Sequence, residues 1–162
     1  MLVRDLSTGA EQSIGYDALI LSPGAAPVRP PIEGVERGLT LRDIADMDRI
    51  IAAAQDARRA VIVGAGFIGL ELAENFRHRG LEVAVVQSMP HVLRPFDIEM
   101  AHIVGQRLRA NGVELHLGTT VTAIADDHVV LAGGRTLPSD LVVLSVGVQA
   151  DSAIAREAGL LP

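Results

Sequence analysis

The chain has 162 residues, a formal net charge of −6 and no cysteine. That length suffices for a domain with a sizeable core, and the negative balance speaks against a nucleic-acid partner, which demands a clustered positive face. Without cysteine there is no disulfide, thiolate nucleophile or redox dithiol, and since all fourteen basic residues are arginine there is no phosphate-loop or Schiff-base lysine.

No apolar run approaches the roughly 20 residues that span a bilayer. MLVRDLSTGAEQ lacks the apolar core and cleavage site of a leader, so a cytoplasmic location and no membrane partner are expected. In chain order, VRDLSTGAEQSIGYDALILSPG reads as a hairpin around Ser7-Thr8-Gly9, then a strand from Asp17 to Leu21. In AAPVRPPIEGVE the prolines remove backbone donors and fix φ, so an extended connector is expected rather than packed structure. Ile44, Met47, Ile50, Ile51 and Ala54 then recur at helical spacing.

From Ala60 the pattern becomes strand, helix, strand. AVIVG is a continuous apolar run, as a parallel strand buried on both faces requires, and Phe67 to Arg79 reads as a helix closed by Gly80. LEVAVVQ is the next buried strand. Asp97 is expected to cap the helix IEMAHIVGQRLRAN, which stops at Asn111-Gly112. VELHL is a third strand, and VTAIAD, HVVLAGG and RTLP are short antiparallel strands with a Gly-Gly turn. DLVVLSVG returns to the buried type. This order predicts an α/β fold: a doubly wound, Rossmann-like parallel sheet with a small antiparallel β-meander.

Gly64-Ala65-Gly66-Phe67-Ile68-Gly69 fits G-x-G-x-x-G after a buried strand and at the opening of a helix. In that setting Gly64 permits the tight turn, Gly66 lets backbone approach a pyrophosphate, and Gly69 lets the helix lie close on the strand. The N–H groups at the helix start then face the anion. A plain strand-turn-helix corner is the alternative, and the context favours a dinucleotide. Gln87 ends the next strand eighteen residues beyond Gly69, where an acid usually holds the ribose 2′-OH of NAD. Its amide oxygen can accept that hydrogen bond but carries no charge to repel a 2′-phosphate. Weak discrimination is expected from Gln87, and the choice between NADH and NADPH stays open. Ser88, His91 and Arg94 follow in the loop as phosphate candidates; for His91 and Arg94 a solvated position reads at least as well.

VIVGAGFIGLELAE, YDALILSPGAAPVRPPIEGV and LPSDLVVLSVGVQAD resemble three motifs of the pyridine nucleotide-disulfide oxidoreductase family, flavoproteins that pass hydride from NAD(P)H to FAD. LTLRDIADMDRI and MPHVLRPFDIEMA look most like its coenzyme A disulfide reductase and NADH oxidase branch. The resemblance implies the NAD(P)H-binding domain of an FAD-dependent oxidoreductase that reduces a disulfide, such as coenzyme A disulfide, or dioxygen. It implies that Glu71 lies near the nicotinamide carboxamide and that Ser145-Val146-Gly147 turns beside the cofactors. Ser22-Pro23-Gly24 resembles the crossing between the family's domains.

The family's glycine motif for FAD has no counterpart before residue 60, and its redox cysteine and Gly-Asp motif are also missing. A fragment is therefore expected. Residues 1–34 would be a remnant of the FAD domain with its Pro-rich connector, 35–147 the NAD(P)H-binding domain, and 148–162 the start of the return. FAD is not expected to bind it, and the isolated chain is expected to be inactive. Its partners would be the missing FAD-binding and dimerisation parts of the same polypeptide, the intact enzyme being a homodimer. The expected cofactor-binding set is Gly64, Ala65, Gly66, Phe67, Ile68, Gly69, Glu71, Gln87, Ser88, Val146 and Gly147, with no catalytic residue and no metal ligand. A regulatory module that senses NAD(H) without turnover is the alternative; the flanking segments favour the enzyme.

Overall fold

The computed structural model describes residues 1–160. The chain forms two units, one of residues 1–24 with the stretch from Ala150 onward, the other Ala25–Gln149. In the first unit, β1 (Leu2–Arg4) and β2 (Glu11–Ser13) form the expected antiparallel hairpin. Its turn is held by the Asp5 carboxylate, which accepts the N–H groups of Ser7 at 2.7 Å and Thr8 at 3.0 Å. The strand expected over Asp17–Leu21 does not form. No neighbouring strand offers that run a ladder among the described residues, and Ile20 is 90% exposed. A short helix, Ala153–Glu157, lies in the same unit.

The second unit begins with β3 (Ala25–Pro27), whose continuation donates the Val28 N–H to the Gly147 carbonyl at 3.0 Å. The proline-rich stretch after it is not the unpacked connector expected. Ile32 and Val35 pack on a hydrophobic core, and the Arg29 guanidinium donates to the carbonyls of Val35 and Gly38. Two apolar side chains in the proline run are enough to anchor it. Next come β4 (Leu39–Thr40), α1 (Ile44–Asp56), β5 (Arg59–Val63), α2 (Phe67–His78), β6 (Glu82–Gln87), α3 (Ile98–Ala110) and β7 (Val113–Leu117). The meander follows as β8 (Val121–Ile124), β9 (His128–Leu131) and β10 (Thr136–Pro138), and β11 (Leu141–Leu144) ends the sheet.

The parallel sheet has the order β4-β11-β5-β6-β7, and the meander is a separate antiparallel sheet, β10-β9-β8. Strand alternation divides the apolar residues between two cores. Ala60 and Ile62 of β5, Val83 and Val85 of β6, and Leu141 and Val143 of β11 pack with Ile50 and Ala54 of α1 and Leu72, Ala73 and Phe76 of α2. Their neighbours Val61, Val63, Val86, Val142 and Leu144 pack with Val121, Ile124, Val129, Leu131 and Leu137 of the meander. Helices thus cover one face of the sheet and the meander covers the other, which is why these strands read as unbroken apolar runs.

Local signals set the helix ends. Asp43 caps α1 by accepting the Asp46 N–H at 2.9 Å. At the end of α2, Gly80 has φ +89°, and the Leu81 N–H returns to the Phe76 carbonyl at 3.0 Å. Asp97 holds the N-cap position of α3, but its carboxylate makes no cap bond. Phe96 to Met100 are exposed, so water can serve the first-turn N–H groups there.

Candidate functional site

The carboxyl ends of β5, β6 and β11 lie side by side, the position where open parallel sheets hold ligands. Gly64 follows β5 with φ +107°, and a Cβ built on it would stand 2.2 Å from the Ser145 carbonyl oxygen. The turn therefore requires glycine. Gly69 is as constrained: a Cβ there would stand 2.2 Å from the Gly64 carbonyl oxygen. Gly66 differs from both, because a Cβ there would meet nothing within 4 Å. It is the N-cap residue of α2, with no side-chain cap, and the first helical bond runs from Leu70 N–H to Gly66 C=O at 3.0 Å. The N–H groups of Phe67 and Ile68 are left over at the positive end of the helix. An open space facing a bare helix N-terminus fits a diphosphate.

This turn borders a cavity of about 500 Å³. Its walls bring together Gly64, Ala65, Gly66, Phe67 and Ile68 with Gln87 and Ser88 after β6, and with Ser145, Val146 and Gly147 after β11. Thr119 and Thr120, between β7 and β8, also line it, as do Met89, Pro27 and Pro30. Thr119 was silent in the sequence; its signal is position, one turn beyond the end of β7, with its N–H on the Gln87 carbonyl at 3.2 Å. Gly69 lies behind the wall, packed against Gly64.

The cavity carries one charged side chain, Arg94, and no carboxylate among its described lining. Arg94 has no hydrogen-bond or ion-pair partner among the described residues. The loop before it is anchored from within. Val92 and Leu93 are buried in the helical core, Leu93 takes the unusual φ of +51°, and its N–H donates to the Ala65 carbonyl at 2.9 Å.

Two expected residues lie elsewhere. Glu71 is exposed and lines a groove between α2 and α3 with Glu74, Arg77 and Arg107; Phe67 borders both spaces. His91 lines a small pocket against α3, and its ring Nδ1 lies 2.9 Å from the Val92 carbonyl, to which an Nδ1–H would donate. Ser22-Pro23-Gly24 belongs to the first unit, where Gly24 has φ +83°. No helix among the described residues is long and apolar enough to cross a membrane.

The family described as pyridine nucleotide-disulphide oxidoreductase matches residues 1–161. The NADH oxidase of Enterococcus faecalis is 30% identical over 162 residues, covering 95% of this chain and 36% of that protein. The crystal structure of reduced CoADR-RHD from Bacillus anthracis superposes with a TM-score of 0.93 at 38% identity, over 98% of this chain and 30% of that one. An engineered water-forming NADPH oxidase bound to NADPH, a mutant of the Lactobacillus brevis NADH oxidase, superposes with a TM-score of 0.90 at 27% identity, over 97% of this chain and 36% of that one. The chain thus spans about a third of the length of the relatives it matches.

Proposed function

We propose, from the fact that this chain belongs to the pyridine nucleotide-disulphide oxidoreductase family, that it is the NAD(P)H-binding domain of an FAD-dependent oxidoreductase. The intact enzyme would pass hydride from NAD(P)H to flavin and then to a disulfide or dioxygen. The chemistry supplied on binding is hydride donation by the nicotinamide; the chain's own work is placement and electrostatics. Gly66 and the free N–H groups of Phe67 and Ile68 would take the pyrophosphate, Gln87 and Ser88 the adenosine ribose, and Val146 and Gly147 the far wall. Glu71 would accept the carboxamide N–H of a nicotinamide carried past Phe67, out of the glycine cavity and toward the α2–α3 groove. The FAD-binding and dimerisation parts would come from the rest of the polypeptide, acting as a cytoplasmic homodimer, and this chain alone would be inactive.

The observation that carries the reading is the contrast among the glycines. Gly64 and Gly69 are required by packing, whereas a Cβ on Gly66 would meet nothing within 4 Å, which leaves the bare start of α2 open to a ligand. Titration calorimetry of the chain with NADH tests it. Wild type is expected to bind and Gly66→Val to lose binding while staying folded, with some loss of stability from valine at the N-cap. Equal affinity in a folded Gly66→Val chain would refute the phosphate cradle.

The NADPH-bound relative bears on which nucleotide is taken. Its substitutions fall at a glycine, at an aspartate eighteen residues on, at the two residues after that aspartate, and at a proline seven beyond it. The aspartate becomes alanine and the proline becomes arginine. This chain carries Gly69, Gln87, Ser88, Met89 and Arg94 at the same spacing. It has no acid at the second position and already has arginine at the last.

A further inference from the structure

We propose that this chain carries a second anion site beside the dinucleotide cavity, in which Arg135 and Thr119 take a tetrahedral oxyanion such as phosphate and His116 positions the arginine. The site lies at the outer edge of the parallel sheet, where the last strand, β7, meets the β9–β10 turn.

Four observations carry it. First, a cavity of about 250 Å³ opens there, with His116, Thr119 and Arg135 as its polar walls and Leu115, Leu117 and Leu131 as its main apolar ones. Its described lining holds one full positive charge and no carboxylate, in a chain whose net charge is −6. Second, that charge is oriented but not neutralised. The one hydrogen-bond contact of the Arg135 side chain among the described residues runs from Nη1 to His116 Nδ1 at 3.5 Å. Arg37, Arg49 and Arg59, by contrast, each hold a carboxylate.

Third, the histidine is only 8% exposed. A guanidinium only donates, so Nδ1 accepts and the ring proton belongs on Nε2. That nitrogen makes no hydrogen bond among the described residues: the Glu114 carboxylate lies 2.9 Å away, outside bonding angles. A buried imidazole with one unmet nitrogen costs stability, and holding Arg135 is the use the structure makes of it. Fourth, the backbone is fixed on both sides. Gly133 and Gly134, at φ +86° and +84°, make a tight turn closed by the Leu131 N–H on the Arg135 carbonyl at 2.7 Å. Thr119 is tied by its N–H to the Gln87 carbonyl, and its hydroxyl makes no hydrogen bond among the described residues. A planar fork on a fixed turn takes two phosphate oxygens at once, and a hydroxyl adds a third contact. A divalent cation fits badly, since the lining offers a guanidinium and no carboxylate.

A merely solvated arginine is the competing account, and it leaves the buried imidazole unexplained. The glycine cradle is the rival seat for the same ion, because Thr119 lines both cavities.

The test is a titration of the isotope-labelled chain with inorganic phosphate, followed by the amide and arginine side-chain N–H signals in NMR, with chloride keeping the ionic strength constant. One saturating set of shifts is expected at His116, Leu131 and Arg135, with a Kd on the order of 1 mM. Glycerol phosphate is the second probe: equal affinity assigns the site to the free ion and tighter affinity to a phosphomonoester, and either supports it. Arg135→Ala should weaken both probes about tenfold. Arg156→Ala, which removes an exposed arginine of the first unit, should leave them unchanged. Saturating NADH should alter the phosphate Kd by no more than about twofold. Shifts that never saturate overturn the proposal, as does equal loss in Arg156→Ala. So does phosphate that moves Phe67 and Ile68 instead and is displaced by NADH, which would seat the ion in the glycine cradle. Phosphate is titrated without nucleotide first, so failure here leaves the dinucleotide reading standing, and failure of NADH to bind leaves this site to be judged alone.

Discussion

Gly64 and Gly66 stand two residues apart and meet opposite surroundings. At Gly64 a side chain would run into the Ser145 carbonyl oxygen on a backbone with φ +107°. Gly64→Ala is therefore expected to cost at least ~2 kcal/mol of stability from clash and strain together, read as a lowered urea midpoint with an unchanged slope. A midpoint within error of wild type would show that the turn relaxes and that glycine is not required there. Gly66 has φ −81° and ψ −175°, which any residue adopts, so its substitution is expected to disturb the fold far less than one at Gly64. The sequence displays these glycines as one motif and cannot separate their tasks. The packing constraint on Gly64 comes from the end of β11, some eighty residues further along the chain, and only the fold brings Ser145 back to Gly64.

At the scale of elements, β5 and β11 begin at a charged clamp. Asp140 accepts the backbone N–H of Arg58 at 3.1 Å and of Arg59 at 2.9 Å, and the Arg59 guanidinium at 2.8 Å. The Arg59 hydrogen bond is the main cause that lowers the Asp140 carboxyl from 3.8 to about 2, with the two N–H groups adding to it. A carboxyl depressed in the folded state contributes stability that is complete above its unfolded value and lost as pH falls through the folded one. The window is thus pH 4 down to pH 2. Both side chains are partly exposed, 41% and 31%, so the effect is expected at about 1 kcal/mol, the upper end for surface pairs. Urea unfolding at pH 7 and at pH 2 should show Asp140→Asn destabilised at the first and much closer to wild type at the second, where half of the carboxyl is already protonated. A constant difference across that range would exclude the ionised clamp as its source. The buried strands were legible because burial on both faces leaves no polar residue to interrupt AVIV, VAVV or LVVL. The apolar YDALILS run misled for a complementary reason: a strand needs a partner as well as a pattern, and pairing is not written in the segment itself. Thr119 was obscure because it lies in a loop whose destination is set by distant contacts.

For the chain as a whole, one glycine cradle means one phosphate-rich ligand, and FAD needs a cradle of its own. Gel filtration after mixing with excess FAD is expected to leave colourless protein, and a stoichiometric yellow complex would overturn the assignment of this chain to the nicotinamide side. The cavity also lies where the two packing layers meet. Gly66 and Ile68 reach it from the helical side, Thr120 and Val121 from the meander side. A nucleotide seated there would act as a rivet through the sheet's end, touching both coverings at once. At a concentration a hundred times its dissociation constant such a rivet adds about 2.7 kcal/mol to the folded state. Helices and meander pack on separate cores either side of the sheet, and a nucleotide held by both would tie their melting together.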